Sequence, residues 1–389
     1  MGPHALRVGE VAAASSNNGS GDGRARILVV ATSFAPAVGG LEQLSFRLVS
    51  GFRRVAPRVV ALDEPGAGAF DYEHGLDIRR VFNRPPGGRR SVARLAAAAT
   101  VEGARSRPGL VLSMHIRASY AALALQRTLH VPFVQYVHAK ELGDQPRLAR
   151  LALRHADATV AVSSYTAELA IHHGAKADRT RVIHPGVDMP DTARTEPGPV
   201  PTMVTVSRLD DEYKGHDRVI EALPRIRAAV PDVRWLVVGD GTLRNALEAQ
   251  VRALDLTSSV SFLGAVSDDE RDRALESAHL FVLPSRVAPD GSGGEGFGIA
   301  YLEASARGIP VIAARSGGAV DAVVDGETGL LVEPNDVKGL AAAAIALLID
   351  PERARTLGAG GVARARHLSW SETVEQVEDV VREVLTRRR

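Results

Sequence analysis

Short, nearly unbroken apolar runs alternate along this chain with longer stretches in which apolar positions recur every three or four residues. The first run is Arg26-Ile-Leu-Val-Val-Ala31. A run this short, bounded by polar residues, is the mark of a strand buried on both faces. It leads through Ser33-Phe-Ala-Pro-Ala-Val-Gly-Gly40 into a helical pattern from Leu41 to Phe52. Further strands are predicted at Arg58–Leu62, Leu110–Ser113, Phe133–Val137, Ala158–Val162 and Arg181–Ile183, with helical patterns between most of them. The segment 189–201 then carries four prolines and no periodicity, so it reads as a linker. A second series follows, at Thr202–Ser207, Arg234–Val238, Val260–Leu263, Leu280–Leu283 and Val311–Ala314. Two successive strand–helix series predict an α/β protein: two Rossmann-like, doubly wound parallel-sheet domains, 24–188 and 202–368, facing a cleft. The tail 369–389 reads as one amphipathic helix, with Val374, Val377, Val381 and Val384 at helical spacing. Residues 1–23 are polar and rich in glycine and serine, so they are expected to be disordered.

Composition narrows the class. The 389 residues are 45% hydrophobic and 24% charged, ordinary for a soluble two-domain protein. Without cysteine, disulfides and thiolate metal sites are excluded. No apolar run approaches the roughly 18 residues of a membrane span. The first residues lack the pattern of a signal peptide, so a cytoplasmic location is expected. A net charge of +1 hides an asymmetry: Arg24 to Asp188 holds 23 basic and 13 acidic residues, a net of +10, and Asp191 to Arg389 holds 23 and 31, a net of −8. The basic half suits an anionic acceptor or peripheral association with an anionic membrane. A solvated surface in an arginine-rich chain accounts for it equally well.

Two segments concentrate candidate chemistry. Gly291-Ser-Gly-Gly-Glu-Gly-Phe-Gly-Ile-Ala-Tyr-Leu-Glu303 reads as a glycine-rich loop turning into a helix, with Glu295 at the mouth and Glu303 about two turns inside. A helix N-terminus offers unpaired N–H groups and the positive end of its dipole to a phosphate. Carboxylates at this spacing accept hydrogen bonds from ligand hydroxyls, and the combination suits a sugar nucleotide. The plainer reading is a carboxylate at the helix N-terminus and an ordinary helix-face glutamate, above the core residues Ile299, Ala300 and Leu302. The second segment is Ser207-Arg-Leu-Asp-Asp-Glu-Tyr-Lys-Gly215, which follows the first strand of the second series. Ligands collect outside the carboxyl ends of such strands. Lys214 is one of only four lysines among 43 arginines, and with Arg208 it offers a fork and a point charge to a diphosphate. Two ordinary surface cations beside Asp210, Asp211 and Glu212 are the alternative. Weaker candidates are His138 and His115, each after a strand; His172-His173, which look like a helix end; Gly39-Gly40; and Gly239-Asp-Gly241, which reads as a turn. Absent are a P-loop, H-E-x-x-H, G-x-S-x-G and an aspartate pair of the kind that holds a nucleotide through a metal.

Ser-Arg-Leu…Tyr-Lys-Gly (207–215), Gly-Glu-Gly-Phe-Gly-Ile-Ala-Tyr-Leu-Glu-Ala (294–304) and Ser-Gly-Gly-Ala-Val-Asp-Ala-Val-Val-Asp-Gly-Glu-Thr-Gly (316–329) resemble the retaining glycosyltransferases of family four, with the two-domain GT-B fold. Phe34–Gly40 and Ile183-His-Pro-Gly-Val-Asp188 are similar to that family's first half, and Ser369-Trp370 to the start of its helix crossing back onto the first domain. The resemblance implies that Arg208 and Lys214 bind the donor diphosphate and stabilise it as it leaves. It implies that Glu303 holds the ribose and Glu295 the donor sugar. Backbone amides at Phe297, Gly298 and Ile299 would face sugar and phosphate. Val266 would meet the nucleobase, Gly40 would approach the diphosphate, and His138 would lie near the reacting carbon. Asp321 stands where the family more often has glutamate and is assigned no role.

The expected function is retaining, metal-independent, front-face transfer of a hexose from a UDP- or GDP-linked donor to an acceptor hydroxyl, with no cofactor and no nucleic-acid partner. The longer loop Pro284–Gly294 is similar to one in actinobacterial mannosyltransferases acting on phosphatidylinositol mannosides. Acceptors of three kinds fit: a glycolipid, a polysaccharide, or a polar natural product such as an aminocyclitol. The cluster Arg79, Arg80, Arg84, Arg89, Arg90, Arg94 suits a membrane-anchored or anionic one. Two other classes stay open. A sugar-nucleotide epimerase of the same fold would convert donor alone, and a non-catalytic sugar-nucleotide or glycan-binding protein would bind donor without turnover.

Overall fold

The computed structural model describes residues 23–191, 196–288 and 293–387. The expected disorder of the N-terminus, the middle of the proline-rich linker and Gly291-Ser292 lie outside them. Thirteen strands are seen: β1 Ala25–Ala31, β2 Val55–Leu62, β3 Ile78–Val81, β4 Leu110–Ser113, β5 Phe133–Val137, β6 Ala158–Ala161, β7 Thr180–Val182, β8 Thr202–Val206, β9 Arg234–Val238, β10 Val260–Gly264, β11 Leu280–Leu283, β12 Val311–Ala314 and β13 Gly329–Val332. They form a seven-stranded sheet in the order β3-β2-β1-β4-β5-β6-β7 and a six-stranded sheet in the order β10-β9-β8-β11-β12-β13. Every strand pairing within the two sheets is parallel. The central strands are buried end to end, as a sheet covered by helices on both faces requires.

Two strands escape the apolar-run reading. β3 carries Arg79 and Arg80 at its centre, and their charge is met by Glu102 (3.3 Å) and Asp71 (2.7 Å). β13 has only three apolar residues behind a glycine. Both are edge strands, where burial is one-sided and the apolar signal weak.

Parallel strands put all carboxyl ends of a sheet on one edge. In the first sheet that edge carries the loop after β1, His115 after β4 and His138 after β5. In the second it carries Arg208 after β8, Pro284 after β11 and Arg315 after β12. The two edges meet. The last helix, Trp370–Arg387, packs on the first domain: Trp370, Val374, Val377, Val381 and Val384 are buried in one core with Leu44, Leu48 and Val55.

Candidate active site

The helix of the glycine-rich segment begins at Ile299, with Gly298 before it in the left-handed region at φ 93°. Glu295 therefore stands four residues ahead of the helix, and Glu303 about one turn inside it rather than two. Tyr301 is fully buried and donates its hydroxyl proton to the Leu283 carbonyl at 2.8 Å, fixing the helix to β11.

Lys214 closes the loop after β8 and donates from Nζ to Glu295 Oε2 at 2.7 Å. The Ser285 hydroxyl reaches the same oxygen at 3.4 Å. Burial works against the Lys214 ammonium, but Glu295 and the neighbouring Tyr213 and Asp211 outweigh it, so its pKa rises. The ammonium lies 5.3 Å from the Tyr213 ring centre, and burial pushes the Tyr213 phenol up to about 12. Arg208, by contrast, is exposed at the carboxyl end of β8 and makes no ion pair among the described residues. One cation is thus held by a carboxylate, and the other projects into solvent.

Glu303 occupies a different corner. Burial pushes its carboxyl above the usual range, and Arg271 and Arg307 hold it back part of the way. Arg271 belongs to the helix Asp268–Ser277, and Val266, half-buried, lies two residues before that helix. So Glu303 and Val266 share one end of the site, and Lys214 and Glu295 the other.

The first domain meets this loop closely. A Cβ on Gly296 would stand 2.2 Å from the His138 carbonyl oxygen, so only glycine fits there. A Cβ on Gly40 would be 3.4 Å from the Ile299 side chain. His138 is half-buried, stacks on Tyr136 at 5.3 Å, and bonds through Nε2 to the Met114 carbonyl at 2.9 Å. A carbonyl only accepts, so Nε2 carries the proton and Nδ1 of the neutral ring has the lone pair. Ala139, next in the chain, sits at φ 89° and ψ −69°, a strained conformation for a residue other than glycine, costing on the order of 1–3 kcal/mol. His115 is half-buried on the same edge, its pKa lowered to about 4 by desolvation. His172 ends a helix and His173 caps it. Gly239 and Gly241 form a turn packed on the loop after β8.

The apolar pattern carried no sign of several cross-cleft contacts. Asp321 accepts from the Ser164 backbone N–H (2.7 Å) and hydroxyl (2.5 Å). His184 stacks on Phe297 with ring centres 5.0 Å apart. Lys140, noticeable only as one of four lysines, pairs with Asp211 at 3.2 Å. The basic cluster also shrinks: Arg79 and Arg80 are spent on internal ion pairs, leaving Arg84, Arg89, Arg90 and Arg94 exposed.

Comparison with known proteins gives concordant results. The profile described as "Glycosyl transferases group 1" matches residues 192–363, and "Glycosyltransferase Family 4" matches 38–190. A Mycobacterium tuberculosis (H37Rv) protein named GDP-mannose-dependent alpha-(1-6)-phosphatidylinositol monomannoside mannosyltransferase is 34% identical over 366 residues, 86% of this chain and 92% of that one. The Corynebacterium glutamicum GDP-mannose-dependent monoacylated alpha-(1-6)-phosphatidylinositol monomannoside mannosyltransferase is 40% identical over 169 residues, 43% of this chain and 44% of that one. Among solved structures, Anabaena HepE in complex with UDP and glucose superposes with a TM-score of 0.77 at 23% identity, over 92% of this chain and 100% of that one.

Proposed function

Because this chain belongs to the group 1, family 4 glycosyltransferases of GT-B fold, we propose that it moves mannose from GDP-mannose to a hydroxyl of a phosphatidylinositol-type glycolipid, with retention at the anomeric carbon. That it is a glycosyltransferase using a nucleotide sugar follows from the family. Donor, acceptor and stereochemistry are the proposal, and the names of its relatives support the first two.

The observation that carries the chemistry is the Lys214–Glu295 pair beside the exposed Arg208. When the anomeric C–O bond breaks, charge collects on the departing diphosphate. Arg208, Lys214 and the N–H groups opening the helix at Ile299 are placed to meet it, so no metal is invoked. A covalent route needs a carboxylate nucleophile on the far face of the sugar. Glu295 is engaged by Lys214 at 2.7 Å, which favours a hydroxyl-binding role instead. The acceptor oxygen then bonds to the anomeric carbon on the face the leaving group vacates, and its proton passes to the donor phosphate. Glu303 takes the ribose, Val266 the base, and His138 and Gly40 line the reacting end.

The test begins with calorimetry of GDP, UDP and GDP-mannose, with and without magnesium. Transfer to phosphatidylinositol mannoside is then followed, and the product anomer is read by NMR. Magnesium-independent GDP binding and an α-linked product are expected. Lys214→Ala should lose about 10²–10³-fold in turnover, the scale for removing one stabiliser of developing charge. Wild-type turnover with normal GDP affinity in that variant would refute the diphosphate assignment.

A further inference from the structure

One carboxylate ties the donor loop to the first domain. Asp321, in the short helix Ala319–Ala322, accepts two hydrogen bonds from Ser164 at the N-terminus of the first-domain helix Ser164–His172. Both are charge-assisted, and the helix dipole favours an anion there. Two residues on, the Thr166 hydroxyl donates to the Gly296 carbonyl at 3.3 Å. A single helix end therefore grips both Asp321 and the glycine-rich loop.

On the donor side Asp321 is rigidly coupled to that loop. The Gly318 N–H donates to the Glu295 carbonyl at 2.8 Å, and a Cβ on Gly318 would stand 2.0 Å from the Gly296 carbonyl oxygen. From below, the Arg364 guanidinium holds the Asp321 and Ala322 carbonyls. A shift of Asp321 must reach Glu295 within three residues of chain.

We propose that Asp321 is a positioning residue whose grip on Ser164 sets the register of the first domain against the donor loop, so that the cleft shuts with Glu295 and Lys214 aligned and water excluded. The proposal rests on the transferase reading above. It assigns Asp321 no contact with the reacting atoms. Closure makes the catalytic geometry, and a misplacement of about 1 Å in such a site costs as much as 10²-fold in rate.

Asp321→Ala should therefore lower turnover about 10–100-fold while GDP affinity, a property of the donor side, stays within about threefold. More of the GDP-mannose consumed should go to water. Asp321→Glu, which keeps the carboxylate, should recover turnover to within about fivefold of wild type. Ser164→Ala leaves the backbone donor in place and should be intermediate, and the double variant with Asp321→Ala no slower than Asp321→Ala alone. The cysteine-free chain accepts spin labels at cysteines introduced in place of the exposed Tyr72 and Ile349, one in each domain. Their distance distribution should broaden in Asp321→Ala. Wild-type turnover and partition in Asp321→Ala would overturn the proposal, as would an equal loss of GDP affinity and turnover. If wild type neither binds nor transfers GDP-mannose, the donor reading fails by itself, and the label distances alone decide: an unchanged distribution in Asp321→Ala overturns the latch.

Discussion

His115 and His216 are single residues with a consequence for acid stability. His216 is buried and His115 half-buried, and loss of hydration lowers each pKa to about 4. Each works as a neutral ring: His115 Nδ1 accepts the Arg117 N–H at 3.0 Å, and His216 Nε2 lies 2.9 Å from the Ser207 hydroxyl. In the unfolded chain both return to about 6.5. Between pH 6.5 and 4 the unfolded state binds more protons, so stability falls as pH falls through that window. The loss approaches roughly 3 kcal/mol per histidine at its lower end. Glu303 and Glu64 act in the opposite sense, since pKa values raised by burial make the folded state the better proton binder, while His173, lowered by burial, adds to the two histidines. Urea midpoints should drop steadily from pH 7 to pH 4.5, and His216→Gln should remove about half the slope. A flat profile would contradict the burial. Neither histidine's state was legible beforehand. In the sequence His115 stands only as a residue after a strand and nothing local marks His216, because burial is decided by packing against distant residues such as Trp235. Lys214 and Glu295 were legible, since a rare lysine and a run of glycines are local signals.

At the scale of elements, the last helix is fastened by a buried carboxylate. Glu378 Oε1 accepts the backbone N–H groups of Arg53 (2.7 Å), Arg54 (2.6 Å) and Val55 (3.3 Å), and Oε2 lies 3.3 Å from the Arg54 guanidinium. Glu378→Ala would leave those donors at the start of β2 without their acceptor, at a cost of about 2–4 kcal/mol. The denaturant midpoint should fall accordingly with little change in slope. A shift within about 0.5 kcal/mol would mean that apolar packing alone docks the helix. Valine spacing along 374–384 foretold the helix, but not the partner of Glu378, more than 300 residues away. Element existence followed from runs of apolar residues wherever burial was two-sided. It failed at β3, where Arg79 and Arg80 hide a strand behind charges satisfied by Glu102 and Asp71.

For the whole molecule, part of the first half's positive charge lies on one exposed stretch. Arg84, Arg89, Arg90 and Arg94 are exposed beside Phe82, itself 58% exposed with the Arg94 guanidinium 5.3 Å from its ring centre. No helix among the described residues is long and apolar enough to cross a membrane. Each arginine near an anionic surface contributes about 1 kcal/mol, screened by salt. Flotation with phosphatidylinositol-rich vesicles should show binding at low salt that fades by about 0.5 M. Reversing Arg84, Arg89 and Arg90 to glutamate should abolish it, and no flotation of wild type would count against the lipid acceptor. How the two halves meet was beyond the sequence patterns, since Ser164 and Asp321 are separated by 157 positions. The chain passes between the halves twice, and the two passages run side by side: Val187 bridges to Ser369, and its N–H bonds to the Leu368 carbonyl at 2.8 Å. Topologically, the second half is an insertion into the first. A graft that exchanges acceptor preference between relatives must therefore change chain at both passages and bring the final helix along. A chimera cut once, at the prolines, would leave the new half facing a foreign helix without the Glu378 clamp it folded around.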